Sequence, residues 1–148
     1  MKDVSITAMQ GKDLDSLAEL EKICFSTPWT RGGLEAELSC PSAVFIVAHS
    51  AGGAAAGYAG MHCASGECYV DNVAVLPQLR GNGIGEALMR RLILDAKRRG
   101  GEFISLEVRK SNAPAISLYG KLGFVKAGER KGFYDKPRED ALILTLWF

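Results

Sequence analysis

Three glycines spaced two residues apart mark the stretch of this sequence most suited to binding a phosphate. Gly81, Gly83 and Gly85 follow an apolar segment that ends at Pro77, and they lead directly into a helical pattern. Because glycine lacks a side chain, the backbone can turn sharply there and several N–H groups can point into one small space. The helix adds unpaired N–H groups and the positive end of its dipole. The sequence therefore predicts a phosphate or pyrophosphate site between a strand and a helix.

A glycine-rich turn that binds no ligand is the alternative interpretation, because short glycine motifs often occur by chance. Two familiar phosphate-binding motifs are excluded. No Gly-Lys-Ser or Gly-Lys-Thr follows the loop, so it is not a P-loop. The spacing is G-x-G-x-G rather than G-x-G-x-x-G, and the unit lies in mid-chain after other strands, which argues against a dinucleotide-binding fold.

Two polar residues beyond the glycine loop could act on a ligand or substrate. Glu107 interrupts an apolar strand, in which alternation sets it on one face with Phe103 and Ser105. Such a carboxylate is either a solvated outer-face residue or a site residue, and the pattern by itself favours the solvated position. Asn112 lies two residues before Pro114, and a proline pushes the residue before it out of the helical region. We therefore predict a helix that begins at Pro114, with the amide of Asn112 free to reach a ligand.

The elements that must position these residues follow from hydrophobic periodicity. The predicted order is one strand, two helices, three strands, a helix, a strand, a helix and two strands. The predicted strands are 4–9, 44–48, 54–63, 67–75, 103–108, 124–127 and 141–146, and the helices begin after Asp13, after Thr30, near Ile84 and at Pro114. Hairpins followed by two strand–helix units imply a mixed sheet with helices on both faces. We predict a single domain over residues 1–148, since no linker or repeat interrupts the pattern.

Composition excludes several classes of protein. The chain has 148 residues, which is long enough to bury a core without help from disulfides or metals. A formal net charge of +1 gives no nucleic-acid footprint, and no apolar run has the length of a membrane span. Since the N-terminus also lacks the apolar segment of a signal peptide, we expect a cytoplasmic protein. The four cysteines form no C-x-x-C pair and the two histidines complete no zinc pattern, so we expect reduced structural thiols and no metal.

Further motifs, together with the glycine loop, cover nearly the whole chain. Arg80-x-x-Gly83-x-Gly85 resembles the acyl-CoA pyrophosphate loop of the GCN5-related N-acetyltransferases (GNAT). The more specific run is Ser111-Asn112-x-x-Ala115-x-x-Leu118-Tyr119-x-x-Leu122-Gly123-Phe124. The other matching segments are Phe25-x-x-Pro28-Trp29, Asn72-Val73-Ala74-Val75, Leu106-Glu107-Val108-Arg109 and Tyr134-x-x-x-x-Glu139-Asp140-Ala141. Together they resemble the ribosomal-protein-alanine N-acetyltransferases, the RimI-type group of that family.

The resemblance implies the α/β GNAT fold, in which strands 67–75 and 103–108 of a mostly antiparallel sheet splay apart to form an acetyl-CoA cleft. It implies that the pantetheine arm pairs with the backbone of Val73, Ala74 and Val75. The N–H of Val75 could stabilise a tetrahedral oxyanion, and such a donor is worth about 3–4 kcal/mol. The other cofactor contacts implied are Arg80, Gly81, Asn82, Gly83, Ile84, Gly85, Glu86, Asn112 and Tyr119. Because a carboxylate beside a diphosphate is unfavourable, we expect the side chain of Glu86 to point outward.

The resemblance also implies two catalytic residues, which lie 12 positions apart as in the RimI-type pattern. Glu107 is the general base, and a modest one suffices because a protein α-amine has a pKa of about 8. Tyr119 is the general acid for the departing CoA thiolate, although an aromatic residue there is otherwise a core residue. No enzyme nucleophile is required, since the amine attacks the thioester directly in a ternary complex.

The acceptor implied by the resemblance is a protein N-terminus, normally the N-terminal alanine of a small-subunit ribosomal protein. Trp29 and Tyr134 lie in the segments that flank the acceptor groove in the family, and each could instead serve only in hydrophobic packing. Gly132-Phe133 ahead of the tyrosine departs from the commoner arrangement. Two alternatives stay open: acetylation of a small amine or a lysine side chain, and a non-catalytic CoA-binding sensor. We expect a monomer or a weak dimer.

Overall fold

A computed structural model describes residues 4–148 and contains seven strands and four helices in the predicted order. The strands are β1 Val4–Ala8, β2 Ala43–Ser50, β3 Ala55–Ala64, β4 Glu67–Val75, β5 Phe103–Arg109, β6 Val125–Tyr134 and β7 Glu139–Trp147. The helices are α1 Leu14–Cys24, α2 Arg31–Glu37, α3 Ile84–Arg98 and α4 Ala113–Lys121. The largest difference from the predicted bounds is in β6, which continues through the polar segment to Tyr134.

The strands form one sheet in the order β1-β2-β3-β4-β5-β7-β6. Among the residues that the structure describes, β4 and β5 are the only parallel neighbours, and α3 is the crossover between them. All other neighbouring strands are antiparallel, and β7 inserts between β5 and β6. The predicted mixed, mostly antiparallel sheet is therefore confirmed.

Helices cover both faces of this sheet. Successive apolar side chains of β2 point to opposite faces, so each face needs a covering layer. Phe45 and Val47 face α1 and α2, where they pack with residues such as Leu17. Ile46 on the opposite face packs beneath α3 with residues such as Leu88. Each fully buried aliphatic side chain of this kind stabilises the fold by about 1.5–3 kcal/mol. In the part of the chain described, none of the helices is both long and apolar enough to span a bilayer.

The feature that creates a cleft is a β-bulge in β4. Gly60 of β3 pairs with Asn72 and Met61 with Val70, so Asp71 is the extra residue. A bulge bends its strand and increases the local twist. The parallel pairing of β4 with β5 accordingly covers only the residues from Glu67 to Tyr69. Beyond that point the two strands diverge, which confirms the predicted splay.

Candidate functional site

A cavity of about 610 Å³ lies in the gap between the diverging ends of β4 and β5. Its walls come from the end of α1, the α1–α2 connection, β4, β5, α4 and the β6–β7 connection. The predicted site residues that line it are Trp29, Val73, Glu107, Asn112, Tyr119 and Tyr134. Residues 80–86 of the glycine loop are not part of this lining, so the cavity and the loop are two separate portions of the site.

The glycine loop has the backbone conformation that an anion cradle requires. Gly81 and Gly83 both have φ near +81°, in the left-handed region that favours glycine. The N–H of Ala87 donates to the carbonyl of Gly83 at 3.0 Å, which is the first bond of the α3 ladder. The N–H groups of residues 84–86 therefore point out of the end of the helix. Together with the helix dipole, they form a site suited to a phosphate.

Two side chains of the loop act on the loop itself. The side-chain amide of Asn82 donates to the carbonyl of Leu79 at 2.9 Å and to that of Arg80 at 3.3 Å. The Nε of Arg80 donates to the carbonyl of Val75 at 3.1 Å. These bonds fix the shape of the turn. Because they occupy the side chains of Asn82 and Arg80, the groups left to bind a ligand are mainly the backbone N–H groups.

The carboxylate of Glu86, in the first turn of α3, is held by two cations at the surface. Its carboxylate accepts from Lys121 Nζ on α4 at 2.8 Å and from Arg90 Nε at 3.0 Å. The hydrogen bond from Lys121, followed by that from Arg90, lowers the pKa of this carboxyl. Because two positive charges compensate Glu86, its repulsion of a nearby diphosphate is reduced.

The outer part of β4 presents alternate backbone groups to the gap. The N–H of Leu76 donates to the carbonyl of Ala56 on β3, which sets the hydrogen-bonding phase of the ladder. Antiparallel pairs alternate between bonded and non-bonded, so Ala74 also bonds to β3. Val73 and Val75 are left with N–H and C=O groups that point away from β3. The N–H groups of Val73 and Val75 are thus directed away from β3, as the predicted contacts require, although the carbonyl of Val75 accepts from Arg80 and Cys24. The backbone groups of Ala74 are used inside the sheet.

Glu107 lines the cavity, which favours a site residue over the solvated outer-face interpretation. Its side chain is 32% exposed, and Oε1 accepts from Arg130 Nε on β6 at 3.1 Å. Within residues 4–148, the second oxygen, Oε2, has no hydrogen-bond partner. Arg130 therefore orients the carboxylate and leaves one oxygen available to a substrate proton.

Tyr119 is both a packed residue and a wall of the cavity. It is 8% exposed, and its ring lies 5.7 Å from that of Phe124 between centroids. Burial, with a smaller contribution from Tyr134, raises the pKa of Tyr119 to about 12. No side chain or backbone group in the described part of the chain bonds to its hydroxyl. The phenol is thus protonated at neutral pH and free to donate.

Asn112 corrects the sequence prediction in one respect. Helix α4 begins at Ala113, and Asn112 is its N-cap, with Oδ1 accepting from the N–H of Ala115 at 3.3 Å. Pro114 fits the first turn because the N–H it lacks would have no partner there. Half of the Asn112 amide is therefore occupied by the cap, and only its NH₂ group is available to a ligand.

Glu21 is a site residue that sequence reasoning missed. It is fully buried in the cavity wall, where Oε1 accepts from the N–H of Trp29 at 2.8 Å and from Asn72 Nδ2 at 3.1 Å. Its Oε2 has no bonding partner among residues 4–148. Burial raises the pKa of this carboxyl above its ordinary value, against the effect of the hydrogen bonds it accepts. The sequence does contain a signal for it, because Glu21 lies on the apolar face of α1 with Leu14 and Leu17, where a carboxylate is unusual.

The raised pKa of Glu21 makes a prediction about stability. A carboxyl whose folded-state pKa exceeds the ordinary 4.5 stabilises the fold below that pH, and the contribution is lost as the pH rises through the raised pKa. Glu21→Gln should therefore gain free energy of unfolding relative to the wild type between pH 4.5 and neutrality. Urea unfolding across that range measures the difference. Glu19→Gln, on the exposed face of α1 at 69% exposure, is the control, and parallel curves for wild type and Glu21→Gln would contradict the prediction.

Trp29, in the α1–α2 connection, and Tyr134, the last residue of β6, both line the cavity. Trp29 lies 5.7 Å from Phe45 between ring centroids, at the start of the α2 region. Tyr134 lies beneath Arg109, whose guanidinium carbon is 4.5 Å from the ring centroid. Arg109 also donates to the carbonyls of Pro137 at 2.9 Å and Asp135 at 3.1 Å. Arg109, which the sequence placed only in a motif, thus anchors one wall of the cavity.

A splayed β4–β5 gap beside a glycine turn at the start of α3 is the arrangement of an acyl-CoA transferase. The chain belongs to the acetyltransferase (GNAT) family, whose sequence profile matches residues 14–124. The [ribosomal protein bS18]-alanine N-acetyltransferase of Escherichia coli K12 is 32% identical, over 96% of this chain and 96% of the relative. The N-alpha-acetyltransferase RimI of Mycobacterium tuberculosis is 36% identical, over 95% of this chain and 90% of the relative.

The fold agrees with these relatives. The crystal structure of the ribosomal-protein-S18-alanine N-acetyltransferase from Escherichia coli superimposes with a TM-score of 0.89 at 31% identity. The match covers 98% of this chain and 94% of that structure. The predicted GNAT fold and the predicted RimI-type resemblance are therefore confirmed.

Proposed function

We propose that this protein transfers the acetyl group of acetyl-CoA to the α-amine of a protein N-terminus. The observation that carries the proposal is the cavity that Glu107 and Tyr119 line together with Val73, whose backbone groups point away from β3. Nearly full-length similarity to enzymes named for the alanine of ribosomal protein bS18 makes that N-terminus the first acceptor to test. With a ribosomal acceptor, the reaction would take place in the cytoplasm.

The residues present fit acetyl-CoA at two points. The N–H groups of residues 84–86 suit its pyrophosphate, and the outward backbone of Val73 and the outward N–H of Val75 suit the amides of its pantetheine arm. When bound, acetyl-CoA supplies an acetyl group activated as a thioester. We assign to the N–H of Val75, which points away from β3, the stabilisation of negative charge on the reacting carbonyl oxygen.

Glu107 and Tyr119 divide the proton transfers between them. Oε2 of Glu107 accepts a proton from the acceptor amine, directly or through a water, while Arg130 holds Oε1 in place. Tyr119 donates its proton to the sulfur that leaves, since its pKa of about 12 keeps it protonated until then. The presence of both groups in one cavity favours an enzyme over a non-catalytic sensor.

The charge of the cavity favours a cationic acceptor. Four acidic residues line it, Glu21, Asp71, Glu107 and Asp135, against two basic residues, Arg109 and Lys136. A chain that begins with an α-ammonium group and carries basic residues would be attracted to this wall. Trp29 and Tyr134 both line this cavity, and we assign them to contacts with the acceptor peptide.

The proposal is tested by acetyl transfer to a basic peptide that begins with alanine, compared with a panel of small amines. The control is the same peptide with its N-terminus blocked and its lysines free, which separates α-amine from lysine acetylation. Preference for the free alanine peptide supports the proposal. Activity on small amines alone would keep the chemistry and replace the acceptor, and CoA binding without any transfer would favour the sensor.

The cradle is tested by Gly83→Val. Because Gly83 has φ near +81°, a β-branched residue there must rearrange the turn, and its side chain would crowd the space of the phosphates. We expect CoA affinity measured by calorimetry to fall at least about tenfold, which corresponds to about 1.4 kcal/mol. The matched control is Gly100→Val, which has the same kind of strain at φ +77° beyond the opposite end of α3. Equal CoA affinity in the two variants would refute the cradle.

A further inference from the structure

A second cluster of reactive side chains lies where the end of α2 meets β3, outside the residues assigned to acetyl transfer. Glu37 is the last residue of α2, Cys40 lies in the turn that follows, and His62 is on β3. One ligand atom from each residue lies within 4.8 Å of the other two. We propose that Glu37, Cys40 and His62 form a binding site for a divalent transition-metal ion, with zinc as the best match.

The backbone holds the three donors in a fixed relation. The N–H of Cys40 donates to the carbonyl of Glu37 at 3.2 Å, which closes the turn after α2. The N–H of Ala43 donates in turn to the carbonyl of Cys40 at 3.1 Å, and Ala43 pairs with His62 across β2 and β3. Helix end, turn and strand are therefore joined by main-chain bonds, so the cluster is organised before any ion binds.

The surroundings of His62 match those of a metal-binding histidine. Its Nδ1 bonds to the carboxylate of Asp71, and its Nε2 lies 2.6 Å from Oε2 of Glu37. If a metal ion replaced the proton that Nε2 shares with Glu37, Nδ1 would keep its donation to Asp71 and the lone pair of Nε2 would face Glu37 and Cys40. A carboxylate that orients a ligating imidazole in this way recurs in zinc sites and strengthens the ligand. Ser42 Oγ, 3.3 Å from the sulfur of Cys40, can support the thiolate similarly.

Donor type and charge favour zinc among the divalent ions. A thiolate, an imidazole and a carboxylate are the three ligand classes of zinc, whereas calcium and magnesium select oxygen alone. The thiolate of Cys40 and the carboxylate of Glu37 together balance the charge of a divalent cation. The side chains of Glu37 and His62 are 17% and 31% exposed, so a fourth ligand from water can reach the ion.

The competing account of this cluster needs no metal. An imidazolium at His62 would then bond to Glu37 and Asp71 as a simple ion pair, and Cys40 would take no part. The two accounts differ in the sulfur, because only a bound metal gives a metal–thiolate bond. The proposal is independent of the acceptor of acetyl transfer, since its readout is metal binding.

The test uses the full chain, stripped with a chelator and then titrated with Co²⁺ as a spectroscopic substitute for Zn²⁺. We expect a thiolate-to-cobalt charge-transfer band that saturates at one ion per chain and is abolished by added Zn²⁺. Cys40→Ser should lose the band, and the matched control Cys63→Ser should keep it. Because Asp71 orients the imidazole, Asp71→Asn should weaken Zn²⁺ binding about 10–100-fold in calorimetry.

Two results would overturn the proposal. One is the absence of both the band and the binding heat in the wild type, which would leave the ion pair as the account of the cluster. The other is a band that persists in Cys40→Ser, which would assign the metal to another cysteine. The wild-type measurement decides the first point without any variant, and circular dichroism of Cys40→Ser shows whether that variant has kept its fold.

Discussion

Replacing Glu107 by glutamine is expected to lower kcat by about 10²–10⁴-fold, the range for a positioned acid or base, with acetyl-CoA affinity unchanged. Glutamine keeps an oxygen that can accept from Arg130 Nε, so the side chain stays in place. It loses only the ability to accept the proton of the amine. Steady-state kinetics with the alanine-initiated peptide measure kcat, and calorimetry measures acetyl-CoA binding.

The pH dependence distinguishes a base from a merely structural residue. A protein α-amine has a pKa of about 8, so above that pH most of the acceptor is already deprotonated. The deficit of Glu107→Gln should therefore shrink as the pH rises. Glu129→Gln is the control, because this neighbouring carboxylate on β6 pairs with Lys110 and Lys126 and lies outside the cavity lining. Equal kcat for wild type and Glu107→Gln at neutral pH would remove Glu107 as the base.

The parts of the fold that local sequence determines were predicted correctly. The apolar spacing of α1 and α3, the glycine turn before α3 and the strand alternation all depend on neighbouring residues. The cap of α2 is an example: Thr30 Oγ1 accepts from the N–H of Gly33 at 3.0 Å, as its residue type and position predict. The order of elements followed from these signals.

The features that depend on pairing between distant segments could not be predicted. The bulge at Asp71 exists only in relation to Gly60 and Met61 of β3, so the alternation of β4 alone does not indicate it. The bond from Arg130 that orients Glu107 crosses from β6 to β5, 23 positions away in sequence. These contacts shape the cavity, and they are set by the sheet as a whole.

The cluster of Glu37, Cys40 and His62 is another feature that depends on contacts between distant segments. Sequence spacing gave no zinc pattern, because such patterns rest on ligands that are close together along the chain. Here His62 lies 25 positions from Glu37 and reaches it through the β2–β3 hairpin. The three donors meet by tertiary structure, which spacing does not record.

Tyr119→Phe is expected to lower kcat by about 10²-fold, near the lower end of the range for acid–base catalysis. Loss of a general acid should cost less here than in a reaction with a strongly basic leaving group. Thiols have a pKa of about 8.5, so a thiolate departs readily without a proton. In the wild type, burial raises the pKa of Tyr119 to about 12, so ionisation of this phenol should not reduce the rate between neutral and mildly alkaline pH. A pH–rate profile of kcat for the wild type and the variant measures both effects.

The free energy of unfolding of Tyr119→Phe distinguishes a catalytic role of Tyr119 from a packing role. The Tyr119 ring is 8% exposed, but its hydroxyl has no bonding partner among residues 4–148, so phenylalanine keeps the packing against Phe124. The free energy of unfolding should therefore change little while kcat falls. Tyr69→Phe is the control, because the hydroxyl of Tyr69 bonds to Glu67 on the exposed part of β4, away from the cavity. If Tyr119→Phe retained full kcat, Tyr119 would be a core residue that only borders the site, and the proton for the leaving thiolate would have to come from solvent.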